Sequence, residues 1–252
     1  MKRTLWALAL LAGTAHAEEP APPPVPTAAE LLAKVDANLQ STSQSSTAKM
    51  VVNNGRRTRE YVLKIVARGQ TDSAVEYVAP EREKGTRMLK IDDQMWLYMP
   101  RAERVQKISG HMMRQGMMGS DMSYEDAMAT ADFDEMYTAK VAGSEMLEGR
   151  SHWKVEAVAK DKSVTYPKRV LWIDEVTFIP SKQELYAVSG MLLKTWTMSD
   201  VRLIDGKHVP HQMTITDQLK PGSNTTFITS DLQFDVPLQD EVFSLRWLER
   251  GQ

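Results

Sequence analysis

Hydrophobic and polar positions alternate along most of the chain. From Tyr61 to Arg68, the residues Tyr61, Leu63, Ile65 and Ala67 alternate with Val62, Lys64, Val66 and Arg68. Trp153, Val155, Ala157 and Ala159 alternate with Lys154, Glu156, Val158 and Lys160. A similar rhythm runs through Met213, Ile215 and Leu219, then through Thr226, Ile228, Ser230, Leu232 and Phe234. Successive side chains of a strand point to opposite faces, so this pattern predicts strands with one buried face. Turn formers separate the runs: Asn53-Asn54-Gly55, Asp92-Asp93, Gly149, Gly190, Asp205-Gly206 and Pro221-Gly222. Short strands joined in this way predict one antiparallel meander rather than two domains.

Two stretches depart from period two. Thr27 and Glu30 fit a capping box, and Leu31, Leu32, Val35 and Leu39 follow at helical spacing, so a helix with one buried face begins at Thr27. The polar run from Gln40 to Thr47 ends it. Between Ser109 and Met136, Met, Ala, Asp and Glu replace the β-branched residues, which predicts two short helices or a helix and a loop. A large sheet curls, and its concave face must be filled. The fold expected is mainly β with some α. It is a single strongly curved antiparallel sheet, or half-open β-barrel, plugged by the N-terminal helix and the helical insertion at 109–136. That domain spans residues 27–252.

The N-terminus adds a compartment. Lys2 and Arg3 precede an apolar run from Leu5 to Leu11, and Ala15-His16-Ala17 supplies small residues at the positions a signal peptidase reads. The run is too short to span a bilayer. A signal peptide over residues 1–17 is therefore expected, followed by a proline-rich leader over 18–26 and a soluble periplasmic protein. With no cysteine, nothing depends on a disulfide, and no lipid-modified cysteine is expected. Losing Lys2 and Arg3 would take the formal charge from −2 to about −4, with no basic excess to suit nucleic acid.

The segment His111 to Met122 (HMMRQGMMGSDM) holds five of the chain's 16 methionines. Were 112–122 one continuous helix, Met113 and Met117 would share a face, as would Met118 and Met122, while Met112 would point elsewhere. Three readings follow. Methionine fills irregular core gaps; it also forms adaptable walls for hydrophobic ligands. Its thioether is soft enough for Cu(I), although sulfurs spread round a helix would not converge on one ion. Gly116 and Gly119 weaken a helix and suggest a segment that opens as a lid. The strand Met95 to Met99 is apolar on both faces. A ligand-cavity wall built from Met95, Leu97 and Met99 with Met112, Met113, Met117, Met118 and Met122 is the site expected here.

Two longer stretches carry a resemblance. One runs from Gly85 to Gly110 and on from Gly116 to Ala127. It contains Trp96-Leu97-Tyr98, Pro100, Arg104, Ile108, Gly119-Ser120-Asp121, Tyr124 and Asp126. The other runs from Tyr166 to Lys194, with Trp172-Ile173-Asp174, Pro180, Glu184, Tyr186, Gly190 and Lys194. Together they resemble the outer-membrane lipoprotein-sorting family, the LolA-like superfamily, in its uncharacterised branch. The resemblance implies a half-open barrel whose cavity holds acyl chains. It implies a carrier or chaperone for a lipid or an acylated lipoprotein bound for the outer membrane, with an inner-membrane RND/MMPL-type exporter as a possible partner. A lipid-sensing module for a membrane partner is the alternative, and a methionine-rich Cu(I) carrier a third. The carrier is expected to work as a monomer.

Other candidates give little. His208 and His211 flank Val209-Pro210 at a strand start with no third ligand nearby, and read as surface histidines. Asp121, Glu125 and Asp126 could bind a hard cation, but Ser123 before the Tyr124-Glu125-Asp126 turn reads better as a helix cap. Arg101 and Arg104 could meet a headgroup, but fit a solvated hairpin. There is no G-x-S-x-G and no phosphate loop, so no catalytic residue, metal or cofactor is expected.

Overall fold

A computed structural model describes residues 25–128, 133–161 and 164–250. The expected signal peptide and most of the leader lie outside these residues. Helix α1 (Ala28–Leu39) starts as its sequence predicts. The Thr27 backbone N–H donates to Glu30 Oε2 (2.7 Å) and the Glu30 N–H donates to Thr27 Oγ1 (3.2 Å), closing a capping box.

Six strands follow: β1 (Ser43–Asn54), β2 (Thr58–Arg68), β3 (Asp72–Ala79), β4 (Arg87–Ile91), β5 (Gln94–Met99) and β6 (Arg104–Ile108). The insertion holds 3₁₀ turns at Gly110–Arg114 and Met117–Gly119, then one-turn helices α2 (Tyr124–Met128) and α3 (Phe133–Met136). Seven strands complete the sheet: β7 (Tyr137–Leu147), β8 (Arg150–Ala159), β9 (Lys168–Asp174), β10 (Pro180–Tyr186), β11 (Leu192–Ile204), β12 (Lys207–Asp217) and β13 (Ser223–Phe234). A short helix, α4 (Leu245–Arg250), comes last.

All thirteen strands belong to one antiparallel sheet in the order β6-β5-β4-β3-β2-β1-β13-β12-β11-β10-β9-β8-β7. Strands adjacent in sequence pair with each other, except that β6 and β7 do not, and β1 pairs with β13. The sheet is curved and unclosed, as expected of a half-open barrel. Its two edges are β6 and β7, the strands that flank the insertion.

One row of cross-strand partners identifies the inner face: Leu171, Gln183, Trp196, Ile215, Thr225 and Val52 stand side by side on consecutive strands. Leu171 packs with Val155, Ala157, Ile173 and Tyr137 against Leu31, Leu32 and Val35 of α1. Val52 belongs to a second cluster with Met50, Tyr61, Leu63 and Tyr77, on which the insertion packs. Helix α1 and the insertion therefore fill the same face at different places. The C-terminal residues Val242, Phe243, Trp247 and Leu248 cover the opposite face over Ala74, Leu89, Trp96 and Tyr98. That is why β5 is apolar on both sides.

Three expectations need correction. The polar run after α1 is not merely a helix stop: Ser43 to Thr47 opens β1, where Ser and Thr are half-buried against β2 and β13. Leu219 lies beyond β12 and is exposed, so the alternation ends at Asp217. His211 is buried, not on the surface; its Nδ1 lies 3.1 Å from the Val209 carbonyl oxygen, which satisfies a ring nitrogen locally.

A polar knot fixes the β9–β10 corner against α1. Asp174 accepts from Arg150 Nε (2.5 Å) and Nη2 (2.8 Å) and from the backbone N–H groups of Val176 (3.0 Å) and Thr177 (2.7 Å). The Thr177 carbonyl in turn accepts from Asn38 Nδ2 of α1 (2.9 Å). Burial raises the Asp174 pKa, but the Arg150 guanidinium and the turn N–H groups outweigh it and hold the carboxyl well below the usual carboxylate range. The folded-state pKa is depressed, so the stabilisation is fully present above the unfolded-state value of about 3.9 and is lost as pH falls from there through the folded value. Asp174→Asn should cost about 2–3 kcal/mol at neutral pH. In denaturant titrations the gap between variant and wild type should stay constant from about pH 5 to 8 and narrow below about pH 4.

Candidate functional site

The inner face encloses a cavity of about 480 Å³ beneath the insertion. Cross-strand register builds its walls. At one end Met50, Phe227, Met213 and Met198 are successive partners across β1, β13, β12 and β11. Next along come Thr229, Ala48, Leu63 and Tyr77, then Ile65, Val75 and Met88. The far row places Gln44, Ser73, Lys90 and Met95 on β1, β3, β4 and β5. Along β1 the walls run from Met50 to Gln44, roughly 20 Å at strand spacing. Met117, Met122 and Ala127 of the insertion complete the lining.

The structure brings all eight residues expected at the site into one apolar cluster. Met95, Leu97 and Met117 are buried in it, and Met99, Met112, Met113, Met118 and Met122 pack against it partly buried. Of the eight, Met95, Met117 and Met122 border the cavity; the other five pack around it. Residues the sequence reasoning passed over include Met50, Met88, Met198 and Met213, which bring the methionines on the wall to seven. Their signal was weak. Met50, Met198 and Met213 sit in alternating runs, but none has a methionine neighbour along the chain.

The insertion is not the continuous helix that the angular argument assumed. Its two 3₁₀ turns are separated by extended residues at Gln115 and Gly116, and Met118 takes a left-handed conformation (φ 51°). Five methionines can therefore face one cluster, and their angular spread on an imagined helix does not decide against a soft metal. The glycines have packing and backbone roles: a Cβ on Gly116 would lie 2.0 Å from the Ser120 carbonyl oxygen, and Gly119 takes a left-handed conformation (φ 74°) that favours glycine.

Polar clasps hold this strap across the inner face. Arg59 Nη2 donates to the Met118 carbonyl (3.2 Å). Asp121 accepts from Ser223 Oγ (2.6 Å) and Thr225 Oγ1 (2.9 Å), and its backbone N–H donates back to Thr225 Oγ1 (2.9 Å). Asp126 and Ser123 cap α2 reciprocally: the Ser123 N–H donates to Asp126 Oδ2 (2.8 Å) and the Asp126 N–H to Ser123 Oγ (3.1 Å). Asp126 also accepts from Tyr166 Oη (2.8 Å) and from Lys194 Nζ (2.5 Å), with its side chain only 1% exposed. Burial and the adjacent Asp126 carboxylate push the Tyr166 hydroxyl pKa up, so it stays a donor. Glu125 accepts from Thr165 Oγ1 beside it. The three carboxylates thus serve as anchors, and among the described residues no group of His, Cys, Asp and Glu is arranged to hold a metal ion.

A family model described only as an uncharacterized-protein-like family matches residues 69–250. A DUF1329-family protein of Desulfovibrio piger is 27% identical, with a TM-score of 0.81 over 87% of this chain and 96% of that one. A putative outer membrane lipoprotein-sorting protein domain of Vibrio parahaemolyticus is 26% identical, with a TM-score of 0.78 over 88% and 97%. A LolA-superfamily protein of Nitrosomonas europaea is 26% identical, with a TM-score of 0.72 over 88% and 100%. The chain belongs to the uncharacterised branch of the LolA-like superfamily. No curated protein matches it by sequence.

Within this LolA-like fold, the residues that carried the resemblance divide by task. Asp121, Asp126 and Lys194 form the clasps, with Tyr166 at the head of the second stretch. Trp96 and Tyr98 face the C-terminal helix, where the Arg87 guanidinium lies between Tyr98 (5.4 Å) and Trp247 (5.9 Å). Trp172 donates to Glu145 Oε2 (2.8 Å) and is flanked by the ammonium groups of Lys182 (4.4 Å) and Lys154 (5.1 Å). Further along β10, burial and Glu184 push the Tyr186 hydroxyl up to about 12. Arg101 and Arg104 are exposed on the β5–β6 hairpin and do not line the cavity.

The clasps make the insertion a stable part of the sheet. Asp126→Ala strands the Lys194 ammonium and should cost about 3–5 kcal/mol in denaturant unfolding. Amide exchange over residues 110–128 should rise more than in the strands of β8 and β9. An apolar pair, Asp126→Leu with Lys194→Met, should cost less than Asp126→Ala alone. Equal exchange across the whole sheet in the Asp126→Ala protein would contradict the anchoring role.

Proposed function

We propose that this protein is a periplasmic carrier or chaperone that holds a hydrophobic ligand, an acyl chain or an acylated lipoprotein, in the cavity on its way toward the outer membrane. The observation that supports this most is the cavity itself: about 480 Å³, apolar for most of its length and walled by seven methionines. It falls within the size range of small-molecule sites. Methionine suits a wall that must accept chains of differing length, because its unbranched side chain repacks at small cost. Ten buried methylenes at ~0.8 kcal/mol each supply ~8 kcal/mol before the cost of association, so affinity needs few polar contacts.

The clasps shape the release step. Opening means parting Asp126 from Lys194 and Asp121 from β13. A membrane partner, an inner-membrane RND/MMPL-type exporter or an acceptor at the outer membrane, would drive this by binding the open state more tightly. The ligand-contacting set in this proposal is Met95, Met117 and Met122 at the wall, supported by Leu97, Met99, Met112, Met113 and Met118 behind it. No chemistry is required of any side chain. Export by cleavage after Ala17 and action as a monomer complete the proposal.

Native mass spectrometry of protein taken from its own periplasm should reveal a co-purified acyl compound released by organic extraction. Met117→Glu places a charge in the apolar end and should abolish uptake of a fluorescent fatty acid. The triple variant Met113→Leu, Met117→Leu and Met118→Leu keeps volume and apolarity, at a cost of under about 1.5 kcal/mol per site, and should retain uptake. A protein that is empty when isolated and takes up no fatty acid would sink the carrier reading. Tight Cu(I) capture against a chelator, lost in the triple Leu variant, would put a thioether metal site in its place.

A further inference from the structure

The cavity is not uniform along its length. Around Met117 its walls are Met50, Met213 and Phe227; the row at the far end holds Gln44, Ser73 and Lys90, with Met95 beside Lys90. The three polar residues share one cross-strand row: Ser73 opposes Lys90, and Gln44 lies two strands beyond Ser73 across Ala67. On β4 the side chains alternate, so Met88 and Lys90 face inward while Leu89 packs under the C-terminal helix. Lys90 is 6% exposed, unusual for a lysine, whose charge belongs in water unless it is matched. Lys90 also has an interaction within the protein, which an anion bound in the cavity would join.

Size limits the occupant further. A volume of about 480 Å³ lies in the range of cavities that take one small molecule, which suits a single acyl chain better than the several chains of a lipoprotein anchor. Resting on the proposal that the cavity takes an acyl chain, we infer that its ligand is a single-chain anionic amphiphile. The headgroup sits at Lys90 with Ser73 and Gln44, and the tail points toward Met117 under the insertion. A carboxylate or a phosphate could both accept from the ammonium, the Ser73 hydroxyl and the Gln44 amide. Free fatty acids and lysophospholipids are the two sources of that chemistry.

Calorimetric titration of the delipidated full chain tests this with palmitate, hexadecanol, palmitoyl-lysophosphatidylglycerol and dipalmitoyl-phosphatidylglycerol. One palmitate or one lysophospholipid should bind per protein, about tenfold or more tighter than hexadecanol. Whichever anion binds more tightly identifies the headgroup source. Lys90→Met should bring palmitate to the affinity of hexadecanol, and Lys90→Arg should keep the preference. If Lys90→Met does not fold, the wild-type ratio of palmitate to hexadecanol decides. Equal affinity for these two overturns the anionic pole but leaves the carrier reading standing. Binding of the two-chain phospholipid as tightly as palmitate overturns the single-chain assignment. Failure of all four lipids to bind overturns the carrier reading as well.

Discussion

Pairing of β1 with β13 brings the two ends of the strand succession together in mid-sheet, from Gln44 opposite Phe234 to Asn54 opposite Ser223. Every other strand then extends outward by simple hairpins, so the free edges can only belong to β6 and β7, which are consecutive along the chain. The segment joining them has to travel from one edge of a curved sheet to the other. Crossing the inner face covers apolar surface that water would otherwise meet. The strap and the cavity beneath it are thus products of one long-range pairing.

The strap stays in place through a division of labour between soft and hard interactions. Its methionines give apolar contact without a unique fit, which alone would leave several packings of similar energy. Asp121 and Asp126 remove that ambiguity, since each buried carboxylate must find its own donors or bear a desolvation cost. Orientation is supplied by polar groups at the margin, and adaptability by sulfur and methylene groups in the middle. The result is an adaptable interior within a polar frame of fixed geometry.

Much of the architecture was legible because alternation is a direct consequence of strand geometry. Tyr61, Leu63, Ile65 and Ala67 face inward as their spacing indicates, and the Thr27–Glu30 capping box starts α1. The first half of β1 was not legible, since Ser43 to Thr47 satisfy the sheet through backbone pairing with no apolar rhythm to betray it. Ile228 misled in another way: it is the apolar member of its run, yet it points outward while Phe227 lines the cavity. The local methionine cluster was visible along the chain. Met50, Met88, Met198 and Met213 meet it only through cross-strand register, which no local window can reveal. Lys90 was hidden for the same reason.

The β1–β13 partnership also sets an order of events in time. Two independent meanders, β2 to β6 and β7 to β12, can zip from local hairpins as the chain appears. The inner face has no complete wall until β13, near the end of the chain, finds β1. Until then its methionines and aromatic rings are open to water and to other chains, the condition under which unfinished sheets associate. The inner face is therefore complete only after nearly all of the chain is available, and its period of greatest exposure is the interval before the last strand arrives.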